Sequence, residues 1–168
     1  MTILETERLV ICQLSVNDAA FIFELLNSPS WLKFIGDRGV KTIEDAEKYL
    51  KNGPVKSYAQ NGFGLYLVKL KVSNNPIGMC GLIKRDALED VDIGFAFLPA
   101  YEKRGYGFES ASAILAHSRA TLGLKRIVGI TIAANHSSIH LLEKLGLSFE
   151  KKIFLPGDEE ELMLYGSQ

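Results

Sequence analysis

The sequence predicts an α/β fold, a mixed and mostly antiparallel sheet with flanking helices, and three observations carry that expectation. Hydrophobic spacing switches between periods near 3.6 and 2 in the order β-α-α-β-β-β-α-β-α-β-β. Short polar turns join the strands in the middle and at the C-terminal end, which makes them antiparallel neighbours. One long helix in the second half supplies a single crossover connection. At 168 residues, 47% hydrophobic and 23% charged, the chain suits one domain over residues 1–168.

The elements follow in order. Arg8 to Leu14 reads as a strand with Leu9, Ile11 and Gln13 on one face. Ser15 followed by Asp18 resembles a capping box and opens a helix to about Asn27. Pro29 breaks that helix, and Trp31 to Ile35 leads into a turn-like insert, Gly36 to Gly39. Thr42 and Asp45 repeat the capping signature before a second helix that stops by Asn52-Gly-Pro54. Phe63 to Leu70 and Ile77 to Ile83 form a hairpin around Asn74-Asn-Pro76. A polar loop, Lys84 to Asp90, precedes a strand from Val91 to Leu98. Tyr101 to Gly107 then opens a long helix reaching Leu122-Gly123. A strand at Arg126 to Ile132, a helix from His136 to Leu145, and the pair Leu147 to Leu155 and Glu161 to Tyr165 complete the chain, with Gly146 and Pro156-Gly157 as stop and turn.

Composition excludes several classes. A formal net charge of -1 removes the global electrostatic argument for a nucleic-acid or polybasic membrane partner. No apolar run has the length of a signal peptide or membrane span, so a cytoplasmic protein is expected. Cys12 and Cys80 lie far apart without His or Cys partners at metal spacing; both read as free core thiols, and no metal is expected.

The most informative segment is Val91-Asp-Ile-Gly-Phe-Ala-Phe-Leu-Pro-Ala-Tyr-Glu-Lys-Arg-Gly-Tyr-Gly-Phe-Glu109, a strand running through a loop into a helix. The first turn of a helix leaves N–H donors free and carries partial positive charge, and glycines let a phosphate approach it closely. No Lys-Ser or Lys-Thr follows the glycines, which excludes a GxxxxGK[ST] loop. The position late in the chain, after a hairpin, speaks against a dinucleotide fold.

This segment resembles the acetyl-CoA motif of the GNAT superfamily of N-acetyltransferases, a strand followed by [Gln/Arg]-x-x-Gly-x-[Gly/Ala] at a helix start. Asn135-His-Ser-Ser138 followed by Leu141-Leu-Glu-Lys-Leu-Gly146 resembles the superfamily's second signature. Thr6-Glu-Arg-Leu9 is typical of its ribosomal-protein N-acetyltransferase branch, the RimJ/RimL-like enzymes. The resemblance implies a GNAT fold with a splayed central strand pair and acetyl-CoA as acetyl donor. It further implies an amine acceptor, either a protein N-terminus or a small molecule, and a monomer or homodimer. In such proteins pantetheine runs in the gap between the splayed strands, here Ile93 to Leu98 and Ile127 to Ile132.

The implied cofactor contacts are Phe97, Leu98, Lys103, Arg104, Gly105, Tyr106, Gly107, Phe108, Asn135 and Ser138, with a backbone N–H near Phe97 polarising the thioester carbonyl. Asn135 either holds the pantetheine arm, caps the last helix, or does both. Many relatives carry a tyrosine acid seven residues after that asparagine, where this chain has Leu142. Ser138 then stands as the candidate proton donor, or as a simple helix-start residue. Asp92 occupies a position where several superfamily members carry a glutamate base; the bland alternative is a solvated carboxylate. Acceptor contacts are expected from Trp31, Phe34, Asp37 and Arg38, and the acidic run Asp158 to Glu161 offers a landing point for a cationic acceptor.

Two residues depart from the pattern. Glu102 replaces the Gln/Arg, and Lys103 stands where many relatives of the branch have glycine. A carboxylate beside a pyrophosphate repels it by about 1 kcal/mol when solvent screens the pair, so Glu102 is expected to point into solvent. For the acceptor, roughly a tenth of an α-amine of pKa near 8 is neutral at pH 7, whereas lysine costs about 4.6 kcal/mol to deprotonate there. A sparsely equipped site therefore suits an α-amine.

Overall fold

The computed structural model describes residues 1–167. Eight strands form one sheet in the order β1-β2-β3-β4-β5-β6-β8-β7. They are β1 (Thr2–Glu5), β2 (Leu9–Gln13), β3 (Leu65–Leu70), β4 (Pro76–Ile83), β5 (Val91–Phe97), β6 (Ile127–Thr131), β7 (Ser148–Ile153) and β8 (Leu162–Gly166). All neighbours are antiparallel except β5 and β6, which the crossover helix α5 (Tyr106–Ala120) renders parallel. That one parallel pair is held at only Val91↔Ile127 and Asp92↔Val128. Beyond Asp92 the strands diverge, so the splayed pair expected from the sequence opens at a defined residue.

Helices cover both faces. Tyr66 and Val68 turn into one core with Ala111, Ile114 and Leu115 of α5, while Leu67 between them turns into a second core with α1 (Ala19–Leu26), α2 (Pro29–Phe34) and α3 (Ile43–Leu50). Cys80 lies in the first core and Cys12 in the second, both as free thiols. The Ser15/Asp18 capping box forms, and Thr42 Oγ1 accepts from the Asp45 amide at 3.0 Å.

Two local expectations fail. β1 lies ahead of the first strand read from the sequence, pairing with β2 as a four-residue edge too short to show a period. The second helix does not stop at Pro54. It widens into a π-type turn over Lys51–Val55 and continues as α4 (Lys56–Asn61). A widened turn tolerates a residue without an N–H that would break an α-helix. The continuation matters because Tyr58 on α4 stacks on Tyr66 with centroids 5.6 Å apart, accepts from the Leu14 amide at 3.0 Å and donates to the Leu65 carbonyl.

Candidate active site

The divergence of β5 from β6 creates a cleft of about 1100 Å³, walled by Ile93 to Phe97 on one side and Ile130 to Ile132 on the other. Strand parity determines which backbone groups face it. The Leu98 amide donates to the Ile77 carbonyl at 2.9 Å, so alternate N–H groups of β5 point to β4 and those of Phe95 and Phe97 point into the gap. Leu98 thus departs from its expected role. Its N–H is consumed by β4, its carbonyl accepts from the Tyr101 amide at 2.9 Å, and its side chain packs with the core beneath α1.

At the open end, Pro99–Tyr101 form a 3-10 turn and the chain enters the glycine loop. Lys103 (φ 60°) and Gly105 (φ 84°) both adopt left-handed backbone. Gly105 caps α5, and the N–H groups from Lys103 to Phe108 donate to no protein acceptor among the described residues. Successive free N–H groups at positive-φ positions and a helix start make a concave anion site. A lysine at a left-handed position costs about 1 kcal/mol or more relative to glycine, so the loop carries strain there.

Three contacts hold the loop. Arg8 reaches it from β2's entry: Nη1 donates to the Arg104 carbonyl at 3.1 Å and the guanidinium lies 4.3 Å from the Tyr106 ring centroid. The Glu109 carboxylate on the first turn of α5 accepts from Arg8 Nε at 2.7 Å, the Arg8 amide at 2.9 Å and Thr6 Oγ1 at 2.5 Å. These bonds hold the Glu109 carboxyl below its usual range against the upward push of burial. Thr6 and Arg8 of the opening motif are therefore the other half of the glycine-loop motif. Second, Ser30 Oγ on α2 donates to Glu102 Oε1 at 2.7 Å. Glu102 is turned to a protein donor and not, as the sequence suggests, into solvent. Third, the Lys144 ammonium of α6 (His136–Lys144) sits 4.3 Å from the Phe108 ring centroid, and both residues line the cleft.

The expected cofactor residues divide accordingly. Phe97, Lys103, Gly105, Gly107, Phe108, Asn135 and Ser138 line the cleft. Arg104 and Tyr106 contribute loop backbone only: their side chains are absent from the lining, and Tyr106 packs under Arg8. Asn135 Oδ1 caps α6 by accepting from the Ser138 amide at 3.2 Å, which leaves its amide nitrogen free to donate. Leu142 is buried against Gly129 of β6 and also lines the cleft, so at the tyrosine position of relatives the cleft wall is apolar here.

Asp92 is the last residue paired before the splay and is 1% exposed, which rules out a solvated strand-end role. Burial pushes its carboxyl up, and Arg85, whose Nε donates to Asp92 Oδ1 at 3.1 Å, pulls it down. Of the expected acceptor residues, Trp31, Phe34 and Arg38 line the cleft, while Asp37 turns away to pair with Lys41 at 2.9 Å and accept from the Gly39 amide. Trp31 is buried, and its indole N–H has no acceptor among the described residues. Asp158 and Glu160 line the cleft from the β7–β8 loop, whereas Glu161 pairs with Lys152 at 3.4 Å. Sequence reading missed Tyr49, Arg85 and Lys144. Arg85 sits in a polar loop with no motif to mark it, and Tyr49 follows the helical phase of α3 as any amphipathic tyrosine would.

Residues 8–148 match the acetyltransferase (GNAT) domain family. Among curated proteins, the chain is 29% identical over 157 residues to the uncharacterized N-acetyltransferase YnaD of Bacillus subtilis, covering 92% of this chain and 89% of that one. A GNAT-family acetyltransferase from Bacillus anthracis superposes with a TM-score of 0.81 at 25% identity, covering 99% and 97% of the two chains. The RimL ribosomal-protein alpha-N-acetyltransferase in complex with coenzyme A shares the fold, with a TM-score of 0.83 at 16% identity over 99% and 97%. Among the described residues no helix is long and apolar enough to cross a membrane.

Proposed function

The chain belongs to the acetyltransferase (GNAT) family, and from that membership we propose that it transfers the acetyl group of acetyl-CoA to a primary amine by direct attack in a ternary complex, as a cytoplasmic, RimJ/RimL-like enzyme. The observation that carries the reading is the gap opening at Asp92 and ending on the free N–H groups of Lys103 to Phe108. Acetyl-CoA supplies an activated thioester when bound.

The loop N–H groups hold the pyrophosphate, with the Lys103 and Lys144 ammonium groups adding charge. Asn135 donates its side-chain amide to the pantetheine arm. Two N–H groups face the gap, and their distance from the base discriminates between them. At about 3.3 Å rise per residue, Phe97 lies roughly 16 Å along the strand from Asp92 and Phe95 roughly 10 Å. The amine must touch both the base and the thioester carbon, so the polarising donor is assigned to Phe95, and Phe97 to the pantetheine arm. Asp92 accepts the amine proton, directly or through water. Ser138 returns a proton to the departing thiolate.

An α-amine acceptor accords with this equipment, and the RimL neighbour acts on one. The buried Leu142 favours a second reading, a CoA-binding sensor without catalysis. Thiol release from acetyl-CoA with a panel of peptides, amino acids and polyamines separates the two. Release with at least one acceptor supports the enzyme. A CoA-dependent rise in melting temperature without any release supports the sensor, and no rise at all counts against both.

A further inference from the structure

The closed end of the cleft, around Asp92, holds cationic donors that the protein itself leaves unmatched. Arg85 gives Nε to the Asp92 carboxylate, and its terminal guanidinium nitrogens donate to no protein group among the described residues. Arg38 is exposed on the loop after α2, lines the same cleft, and forms no ion pair among the described residues. Tyr49 on α3 also lines the cleft, and its hydroxyl has no protein partner among the described residues. The positive fields of both Arg38 and Arg85 reach that phenol and counter the upward push of its burial, with no carboxylate opposing them. Two guanidinium groups and a phenol hydroxyl line one cleft, and Asp92 is the one carboxylate in contact with either guanidinium among the described residues, so donors are in excess there and suit an anionic group. A second ammonium would meet repulsion there.

We infer that the acceptor carries a carboxylate beside the amine that receives the acetyl group, and that Arg38, Tyr49 and Arg85 bind it. This inference rests on the acetyltransferase reading above. A free α-amino acid and a peptide with an acidic first residue present the same chemistry. The amine then lies near Asp92, the group assigned to take its proton. The acidic β7–β8 loop, with Asp158 and Glu160 at the cleft, is where a polyamine would bind instead.

The test compares acceptors that differ only in the carboxylate. Thiol release is measured with amino acids against their amides, with Glu-Ala-amide against Gln-Ala-amide, and with spermidine. The expected result is at least a tenfold higher kcat/KM for the carboxylate member of a pair, with the responding pair identifying the source. Arg38→Gln, a change at an exposed loop residue, is expected to narrow the ratio to within about threefold. Amides or spermidine used as well as the carboxylates would overturn the inference while leaving acetyl transfer intact. A binding arm needs no turnover: with CoA bound, N-acetylated amino acids should raise the melting temperature further and their amides should not. If those ligands bind but no acceptor releases thiol, the carboxylate site stands and the catalytic reading fails. If neither release nor selective binding occurs, the inference is wrong.

Discussion

Replacing Arg8 with alanine probes the glycine loop from outside the cleft. The change removes the 2.7 Å ion pair to Glu109, the 3.1 Å bond to the Arg104 carbonyl and the guanidinium over Tyr106. Because the Arg8 side chain is 42% exposed, solvent screens the ion pair to about 0.5 kcal/mol. The carbonyl bond contributes about 1 kcal/mol and the cation over the ring about 0.5 kcal/mol. Thr6 and the backbone amide of residue 8 still satisfy Glu109, so folding loses no more than about 2 kcal/mol, and the melting temperature falls roughly 4–8 °C. The larger consequence is for the donor. Lys103 is held at positive φ with about 1 kcal/mol of strain, and a loop released from Arg8 relaxes and must be reordered on binding. That corresponds to about a fivefold rise in KM for acetyl-CoA, with kcat changing less than about threefold. Steady-state kinetics with acetyl-CoA varied, alongside calorimetry of CoA binding, measure the effect. A KM within twofold of the parent despite a lower melting temperature would refute the clamp as a positioning device.

Asp92, as the proposed base, should set a pH limb. Burial raises its carboxyl above the ordinary carboxylate range, so kcat/KM should rise with pH through that displaced value; Asp92→Asn should cost about 100-fold or more, and Arg85→Gln should move the limb to higher pH. An unchanged profile in Arg85→Gln would remove the assignment. Glu109 runs the other way: its folded value is depressed, so its contribution to stability is present above the ordinary glutamate range and lost as pH falls through the folded value. Glu109→Gln should flatten that acid-side loss in melting curves taken from pH 7 downward. Leu142→Tyr, at a position that lines the cleft but is packed against Gly129, should cost about 1–3 kcal/mol through overpacking, read as a lower melting temperature.

Much of the fold was legible because its signals are local. Periodicity located the central strands and the crossover helix, the capping box formed at Ser15, and Thr42 capped its helix while Asp45 turned back to the Lys41 amide. What was not legible depends on partners distant in sequence. Proline at 54 is a stop signal for an α-helix, and only the packing of Tyr58 on the sheet makes continuation through a π turn worthwhile. Glu102 reads as a defect in a phosphate loop until Ser30, 72 residues away, is brought to it. Asp92 reads as a strand-end acid until its 1% exposure and the Arg85 contact are known. The glycine turn into α5 was legible from spacing, but the side chains of Arg104 and Tyr106, expected at the cofactor, lie outside the cleft lining, because sequence gives no direction.

The bond between Ser30 and Glu102 joins the loop proposed to receive the donor to the short helix carrying Trp31 and Phe34. Any ligand that favours one position of this helix biases the loop by the same free energy, and the reverse holds by thermodynamic linkage. The two substrates are thus not independent tenants of one cleft. In the proposed ternary complex, the affinity measured for either substrate then depends on whether the other is present, through a single hydroxyl–carboxylate contact.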